Sequence, residues 1–194
     1  YKINNNLTIQ FGHGKHFIGN GYRSLILSDN TFSYPFLRLQ TNLGIFRYTN
    51  LYTEFMDIRN NQLSIIDGYQ GWSRKYMSLH FLECEINDRI KIGVFESIIY
   101  AENHAPGVSS IDINYLNPII FYRPVEYSLG SPDNALIGVD LKFNTSKNQF
   151  LYAQLILDEF TLEEMKSNNG YWANKYGYQL GYKFLDFLDV IGLN

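Results

Sequence analysis

The chain has 194 residues, a net charge of -3 at pH 7 and 16% aromatic residues. Mixed charges of this kind form no basic stripe that could neutralise phosphates, so we expect no nucleic-acid partner. The mean hydropathy is slightly negative and no apolar run approaches the roughly 20 residues of a membrane helix, which excludes helical membrane insertion.

Cysteine usage gives no sign of a disulfide or a zinc site. Cys84 is the only cysteine, so it cannot form an internal bridge, and no Cys/His spacing is typical of structural zinc. We therefore expect no metal and no cofactor. The chain starts at Tyr1 without a basic and apolar leader, so we expect any secretion signal to have been removed or to lie upstream.

Apolar and polar residues alternate with a period of two along most of the chain, which predicts amphipathic β-strands. The predicted strands, in chain order, are residues 6–12, 36–42, 45–58, 76–86, 89–100, 136–144, 150–158 and 175–184. Segment 45–58 is the least regular, because Asn50 and Glu54 share a face with Tyr48 and Tyr52. Helical periodicity is nearly absent.

Two further segments have weaker patterns. In residues 161–166, Thr161 and Glu164 resemble a capping box and favour a short helix. Residues 188–194 have the character of a ninth strand that stops early. We therefore interpret the chain as a single partial domain, 1–194, that carries eight to nine strands of a larger barrel.

The connections between the predicted strands alternate between tight and long. Tight hairpin turns are predicted at 43–44, 87–88, 145–148 and 185–186, and long connections at 13–35, 59–75, 101–135 and 159–174. An antiparallel meander sorts such connections onto opposite ends, as in outer-membrane barrels with short periplasmic turns and long outer loops. The sequence thus predicts an all-β, antiparallel up-and-down transmembrane β-barrel. The alternative is a soluble barrel or sandwich whose apolar face is its core.

In hydrocarbon, strands need a closed cylinder, because every backbone polar group must find a partner within the protein. The aliphatic and aromatic phase of the strands is then expected to face lipid, and the polar phase to face the lumen. The predicted lumen-lining residues are Asp140, Lys142, Gln154, Lys175, Gln179 and Lys183.

The segment 11–30 reads FGHGKHFIGNGYRSLILSDN. It resembles the Wzi-like capsule-assembly family of outer-membrane barrels, in which a strand ending in a Phe-Gly-Arg-like element precedes a Gly-x-Gly turn and a Ser-Leu-Ile-Leu-Ser stretch. The segments YLNPIIFYRPVE, GSPDNA, LDEF and WANKYGYQ, which start at residues 115, 130, 157 and 172, are similar to its gliding-motility RemB subgroup. His13 departs from the pattern, because the resemblance leads us to expect Arg there in many relatives.

The resemblance implies a barrel that holds or exports surface polysaccharide. In the Wzi branch the barrel acts as a lectin for capsule, and the RemB-like branch is tied to surface movement. The implied location is the outer membrane of a Gram-negative bacterium. The implied partners are surface polysaccharide, outer-membrane lipid and cell-surface motility or export proteins.

Without the resemblance, the glycines of segment 11–30 are similar to a phosphate loop. No Lys-Ser/Thr follows them and no helix pattern begins there, so a nucleotide site is not expected. We interpret Gly12, Gly14, Gly19 and Gly21 as residues that allow positive φ and close backbone approach in a loop folded into the barrel mouth. Ligand contact by Lys15, His16 and Arg23 is the alternative.

No set of residues predicts an enzyme. Asp158 and Glu159 could be imagined as an acid and base for glycoside hydrolysis, but neighbours on a strand point to opposite faces. Arg123 and Glu126 are expected to form an ion pair that pins a long loop.

Sugar binding needs flat aromatic faces and planar polar groups, and the long connections contain both. The alternative role of their Trp and Tyr residues is anchoring at the membrane interface. The glycan-binding candidates are His16, Arg23, Trp72, Arg74, Tyr122, Arg123, Glu126, Asp133, Asn134 and Trp172. Three functions stay open: a glycan-binding or capsule-assembly barrel, a gliding-motility or adhesion component, and a passive outer-membrane pore.

Overall fold

The computed structural model describes residues 2–56, 64–66, 69–71, 74–101, 113–119, 133–158 and 175–185. These residues form β-strands and one short 3-10 turn, Ile113–Leu116. The strands are β1 Leu7–Gly14, β2 Tyr34–Leu43, β3 Phe46–Met56, β4 Ser64–Ile66, β5 Tyr69–Gly71, β6 Arg74–Glu85, β7 Ile90–Ala101, β8 Asn134–Ser146, β9 Gln149–Asp158 and β10 Lys175–Phe184. No helix in these ranges is long and apolar enough to cross a membrane.

Eight of the strands form one sheet in the order β1-β2-β3-β6-β7-β8-β9-β10. Every neighbouring pair is antiparallel, so the predicted up-and-down meander is confirmed. β1 and β10 are the two edges, and within the described residues they do not pair with each other. β4 and β5 form a separate two-stranded ribbon, which the sequence did not predict because three residues per strand are too few to show alternation.

The described tight turns all lie at one end of the sheet. They connect β2 to β3, β6 to β7 and β8 to β9, as predicted, and Gly44 in the first of them has a φ of +59° that suits glycine. At the opposite end, pairing of Gly14 with Tyr34 shortens the first long connection to residues 15–33. The predicted helix at 161–166 and the predicted ninth strand at 188–194 lie outside the described residues.

The sheet has two faces of different character. We call inner the face that carries Leu51, Leu79, Phe95, Asp140 and Gln154, and outer the face that carries the alternate residues of the same strands. The inner face holds an apolar cluster in which Leu51 and Leu79 have no exposed surface. Period-two alternation thus places both a core and polar groups on one side of the sheet.

Residues 15–33, which we call the inner connection, cross the inner face from β1 to β10. A flat eight-stranded sheet would separate its edge strands by about 34 Å, since neighbouring strands lie about 4.8 Å apart. The chain from Gly14 to Gly21 spans at most about 25 Å, yet Gly21 already packs against Gln179 of β10. The sheet therefore curves around the inner connection, and the inner face is concave.

The outer face is apolar and exposed on β8, β9 and β10. Leu141, Leu155, Tyr178 and Leu180 are between 42% and 76% exposed. On β3, β6 and β7 the same face is mixed, with the buried polar residues His80 and Glu96 beside Ile98, and residues 113–119 lie against it. The sequence interpretation had connection 101–135 fold over the barrel mouth. The described part of this connection, residues 113–119, instead lies against the outer face of the sheet.

Candidate functional site

The inner connection is folded by its own local contacts. Ile18 bridges to Leu27, with a 3.0 Å hydrogen bond from the Ile18 N–H to the Leu27 carbonyl. Between them, the Ser24 hydroxyl donates to the Ile18 carbonyl at 2.5 Å and accepts from the Ile26 N–H at 3.2 Å. Residues 18–27 therefore form a loop that is closed by its own hydrogen bonds.

Apolar packing fixes one side of this loop. Ile18 is buried in a cluster with Leu51 of β3, Leu79 of β6 and Phe95 of β7, and Leu27 packs against the same cluster. Burying an aliphatic side chain of this size contributes about 1.5–3 kcal/mol. The loop thus provides part of the core that fills the curved sheet.

A buried carboxylate fixes the other side. Asp140 of β8 is 1% exposed and accepts hydrogen bonds from the Asn20 N–H at 2.9 Å, from the Asn20 side-chain amide, and from Gln154 Nε2 at 2.7 Å. Gln154 of β9 also donates to Ser24 Oγ at 2.9 Å and accepts from the Leu25 N–H at 2.9 Å. A buried carboxylate is tolerated when several donors surround it, so this network anchors the loop to two strands.

The third anchor is on β10, where Gln179 Nε2 donates to the Tyr22 carbonyl at 2.5 Å. A Cβ atom at Gly21 would overlap the side-chain oxygens of both Gln154 and Gln179, and one at Gly19 would overlap Ser24 as well as sitting at a φ of +101°. Gly19 and Gly21 therefore have the role that the sequence predicted, close approach of the backbone.

Gly12 and Gly14 differ from this pattern. A Cβ atom at either residue would lie 3.5 Å from the Phe36 ring, an ordinary contact distance. Both residues belong to β1, where the extended backbone does not require glycine. Only two of the four glycines therefore carry the predicted packing requirement.

The six predicted lumen-lining residues all lie on the inner face, but they do different things. Asp140, Gln154 and Gln179 form a row across β8, β9 and β10, covered by the inner connection. Lys142 and Lys183 lie nearer the tight turns, with their ammonium groups 4.2 Å and 5.6 Å from the Phe150 ring centroid. The sequence did not predict that Asp140 and Gln154 would be buried.

Lys175 is the sixth member of that set and lies at the other end of β10. Its Nζ atom is 3.8 Å from Asp158 Oδ2. Asp158 is thus part of an ion pair, and Glu159, with which it could have formed a catalytic pair, lies outside the described residues.

An open cleft of about 420 Å³ lies where the inner connection meets β10. Tyr22 is 60% exposed there, and the Arg23 guanidinium carbon lies 5.6 Å from the Tyr22 ring centroid. The cleft combines aromatic faces, two cations, a carboxylate and an amide, which can stack on sugar rings and bond to hydroxyl or acidic groups. Its lining residues are Phe17, Gly21, Tyr22, Arg23, Asp29, Asn30 and Lys183.

Arg23 has a strained backbone. Its φ is +49°, a left-handed conformation, and among the described non-glycine residues it alone has positive φ. That conformation costs an L-residue about 1–2 kcal/mol, and such residues cluster at ligand sites. The anchored Tyr22 carbonyl holds Arg23 in this position, so the cleft is built by the same contacts that fix the inner connection.

The other described glycan candidates do not gather in the cleft. His16 packs edge-on against Phe36, with ring centroids 4.2 Å apart, and next to Tyr34. Burial, and then the nearby Arg38 charge, lower the pKa of His16. It therefore supports the base of the inner connection.

Three more candidates lie away from the cleft as well. Arg74 pairs with Glu54 at 3.3 Å on the outer face, and Asp133 accepts a 2.7 Å hydrogen bond from Tyr115. Asn134 begins β8. The candidates Trp72, Tyr122, Arg123, Glu126 and Trp172 lie outside the described residues.

Of the residues that line the cleft, the sequence analysis named Arg23 as a glycan-binding candidate and Lys183 as lumen-lining. It did not name Phe17, Tyr22, Asp29 or Asn30. One signal in the sequence could have indicated these residues. Gly19 and Gly21, on either side of Asn20, indicate that the backbone packs closely against another element and that an exposed turn follows at Tyr22 and Arg23. In the described ranges, no group of three or more His, Cys, Asp and Glu side chains is arranged to hold a metal ion.

Comparison with known proteins gave no match to a protein-family model, a curated protein or a solved structure. The resemblance of segment 11–30 to Wzi-like barrels stays a prediction from the sequence.

Proposed function

We propose that this chain forms part of the wall of an outer-membrane β-barrel at the surface of a Gram-negative bacterium, and that it binds surface polysaccharide in the cleft beside the inner connection. The main support for a membrane location is the contrast in polarity and exposure between the two faces of the sheet. On β8 to β10 the outer face exposes Leu141, Leu155 and Leu180, whereas the inner face buries Asp140 and Gln154. A broad exposed apolar face marks a surface that meets lipid or a partner.

Strand length supports the same proposal. β6 and β7 have 12 residues each and β8 has 13, whereas strands in globular proteins average about 5–6. A tilted strand needs about 9–11 residues to cross the hydrocarbon core. Since a membrane barrel leaves no free edge, the proposal requires that β1 and β10 each find a further partner strand.

The polysaccharide part rests on the chemistry of the cleft. Tyr22 offers an exposed ring, and Arg23 and Lys183 flank it with donors that suit hydroxyl, carboxylate or phosphate groups of a sugar. The anchors at Asp140 and Gln179 hold these side chains on a fixed backbone. A site that is ordered before binding loses less entropy when the ligand arrives.

A passive pore is less well supported. In the described part of the chain, the concave face at β3, β6 and β7 is filled by Ile18 and its cluster, where an open channel would be lined by polar groups and water. Gliding motility and adhesion rest on the sequence resemblance alone, and the described contacts offer no specific observation in their favour.

The glycan-binding part is tested with Tyr22→Ala, matched by Tyr178→Ala. Both tyrosines are more than half exposed, but Tyr178 lies on the outer face. Loss of one aromatic stacking partner, worth about 0.5–1.5 kcal/mol, should weaken binding of the purified protein to surface polysaccharide roughly 2- to 10-fold. Tyr178→Ala should bind like the parent. Equal binding by parent and Tyr22→Ala, in protein that assembles normally, would contradict the proposal.

A further inference from the structure

Residues 113–119, which we call the strap, lie against the outer face of β3 and β6. Three successive strap carbonyls accept hydrogen bonds from side chains of these strands. The Tyr52 hydroxyl donates to the Leu116 carbonyl at 3.1 Å, and the Tyr48 hydroxyl donates to the Pro118 carbonyl at 2.8 Å. His80 Nε2 lies 3.0 Å from the Asn117 carbonyl, to which it donates when that nitrogen carries the proton.

The strap satisfies further backbone groups by itself. Pro118 has no N–H, and the Ile119 N–H donates to Asn117 Oδ1 at 3.1 Å. A non-helical segment in contact with water has no need of such pairing, because water supplies partners for exposed carbonyls. The pairing of three successive carbonyls with strand side chains is what a segment requires in a medium without water.

Aromatic packing also holds the strap in place. Tyr115 is 1% exposed and lies 4.8 Å from Tyr100 between ring centroids, next to Ile98. Its hydroxyl donates to Asp133 at 2.7 Å. The strap is thus fixed to β7 by a buried ring as well as to β3 and β6 by hydrogen bonds.

The outer face under the strap carries a patch of buried polar residues beside the apolar residues Ile98 and Tyr100. Asn50, Ser78, His80 and Glu96 are at most 5% exposed, although they occupy the phase that is apolar on β8 to β10. Ile137 pairs with Glu96 in register and is exposed. In this cross-strand pair, the exposed apolar residue Ile137 therefore lies beside the buried polar residue Glu96.

The exposed side of the strap is mainly apolar, although the side chains of Asn114 and Asn117 are exposed there as well. Ile113 is 81% and Ile119 is 67% exposed, and Leu116 is partly exposed. In a 3-10 turn, residues three apart lie on the same side, so Ile113 and Leu116 form one ridge. The strap thus covers a polar patch of the outer face with a mainly apolar surface.

We propose that the strap is embedded in the lipid bilayer, with Ile113, Leu116 and Ile119 in contact with acyl chains. Polar side chains such as His80 and Glu96 are costly next to hydrocarbon, and the strap removes them from it while its own carbonyls are bonded to the wall. The inference rests on the proposed function, because it needs the outer face to meet lipid. It adds that a non-strand segment completes the lipid-facing wall over β3, β6 and β7.

Site-directed spin labelling of the protein in lipid vesicles tests the strap separately from the barrel. On a Cys84→Ser background, labels are placed at Ile119→Cys in the strap, at Leu155→Cys on the outer face and at Lys183→Cys on the inner face. Collisions with oxygen, which concentrates in hydrocarbon, and with a water-soluble nickel chelate are measured for each label. We expect the labels at 119 and 155 to collide mainly with oxygen, and the label at 183 with the chelate.

The possible results separate the two ideas. A label at 155 that meets oxygen and a label at 119 that meets the chelate would overturn the strap proposal and leave the barrel standing. A label at 119 that is shielded from both reagents, while 155 meets oxygen, would overturn lipid contact in favour of a protein partner. If both labels meet the chelate, the outer face does not face lipid, and the proposed function fails together with the inference.

Discussion

The carboxylate of Asp140 accepts a hydrogen bond from the backbone N–H of Asn20, a residue 120 positions earlier in the chain, at 2.9 Å. The contact joins the connection between the first two strands to β8, in the second half of the sheet. This hydrogen bond can form only when the sheet is curved. Its loss would therefore indicate that the sheet has become flatter. The cleft depends on the same contact, because Arg23 lies three residues after Asn20.

Removing the Asp140 carboxylate should release the inner connection. In Asp140→Ala the Asn20 N–H and the Gln154 amide lose an acceptor inside the protein, and each unsatisfied buried group costs about 1–3 kcal/mol. We expect the free energy of unfolding to fall by about 3 kcal/mol in a urea titration, with faster proteolysis within residues 15–33. Asp88→Ala, at an exposed tight turn, should change stability by less than about 0.5 kcal/mol. Equal stability of the two variants would show that the anchor is dispensable.

Gly21 and Gly12 provide a matched pair for the close approach of the loop to the sheet. Gly21→Ala places a methyl group onto Gln154 and Gln179, which are both held by hydrogen bonds, so the overlap should cost about 1–3 kcal/mol. Gly12→Ala meets only Phe36 at 3.5 Å and should be near neutral. The unfolding midpoint of each variant measures the difference. If the Gly21→Ala protein is as stable as the Gly12→Ala protein, the loop lies further from the sheet than described.

The membrane proposal predicts a position-dependent penalty for charge on the outer face. Leu141→Arg should reduce stability in lipid vesicles by about 2–4 kcal/mol if the residue lies near the bilayer midplane. Thr145→Arg, in the same strand next to a tight turn, should cost at most about 1 kcal/mol. Folding yield and the free energy of unfolding in vesicles check both. Equal tolerance at the two positions would argue that the outer face does not meet lipid.

Local alternation was sufficient to predict the eight-stranded meander from the sequence. Segments such as 175–184 have a strict period of two, and the tight turns carry their own signals, so the order of antiparallel strands followed directly. Strand ends were less accurate: β2 begins two residues earlier than predicted because Tyr34 and Pro35 pair with Gly14 and His13. That pairing is a tertiary contact without a local signal.

The candidate site was harder to predict because its residues are brought together over long distances. Asp140 and Gln154 have the same alternating pattern as lumen-lining residues, and only the curved sheet shows that they bind the loop instead. Likewise, Asn50 looked like an irregularity of its strand. The explanation lies in residues 113–119, whose composition gave no hint that they pack against the sheet.

The last prediction concerns pH and the base of the inner connection. Burial against Phe36 and Tyr34, and then the charge of Arg38, lower the pKa of His16 below its usual range of about 6.5. The folded protein therefore favours the neutral ring, and the stabilising contribution of His16 is complete above the unfolded pKa and is lost as pH falls toward the lowered folded value.

We expect proteolysis within residues 15–33 to accelerate between pH 7.5 and about 5, with a smaller acceleration in His16→Phe, which keeps an aromatic ring but cannot take up a proton. Because His13, His80 and His104 are present in both proteins, the difference between the two pH profiles isolates His16. Parallel profiles would show that protonation of His16 does not loosen the connection.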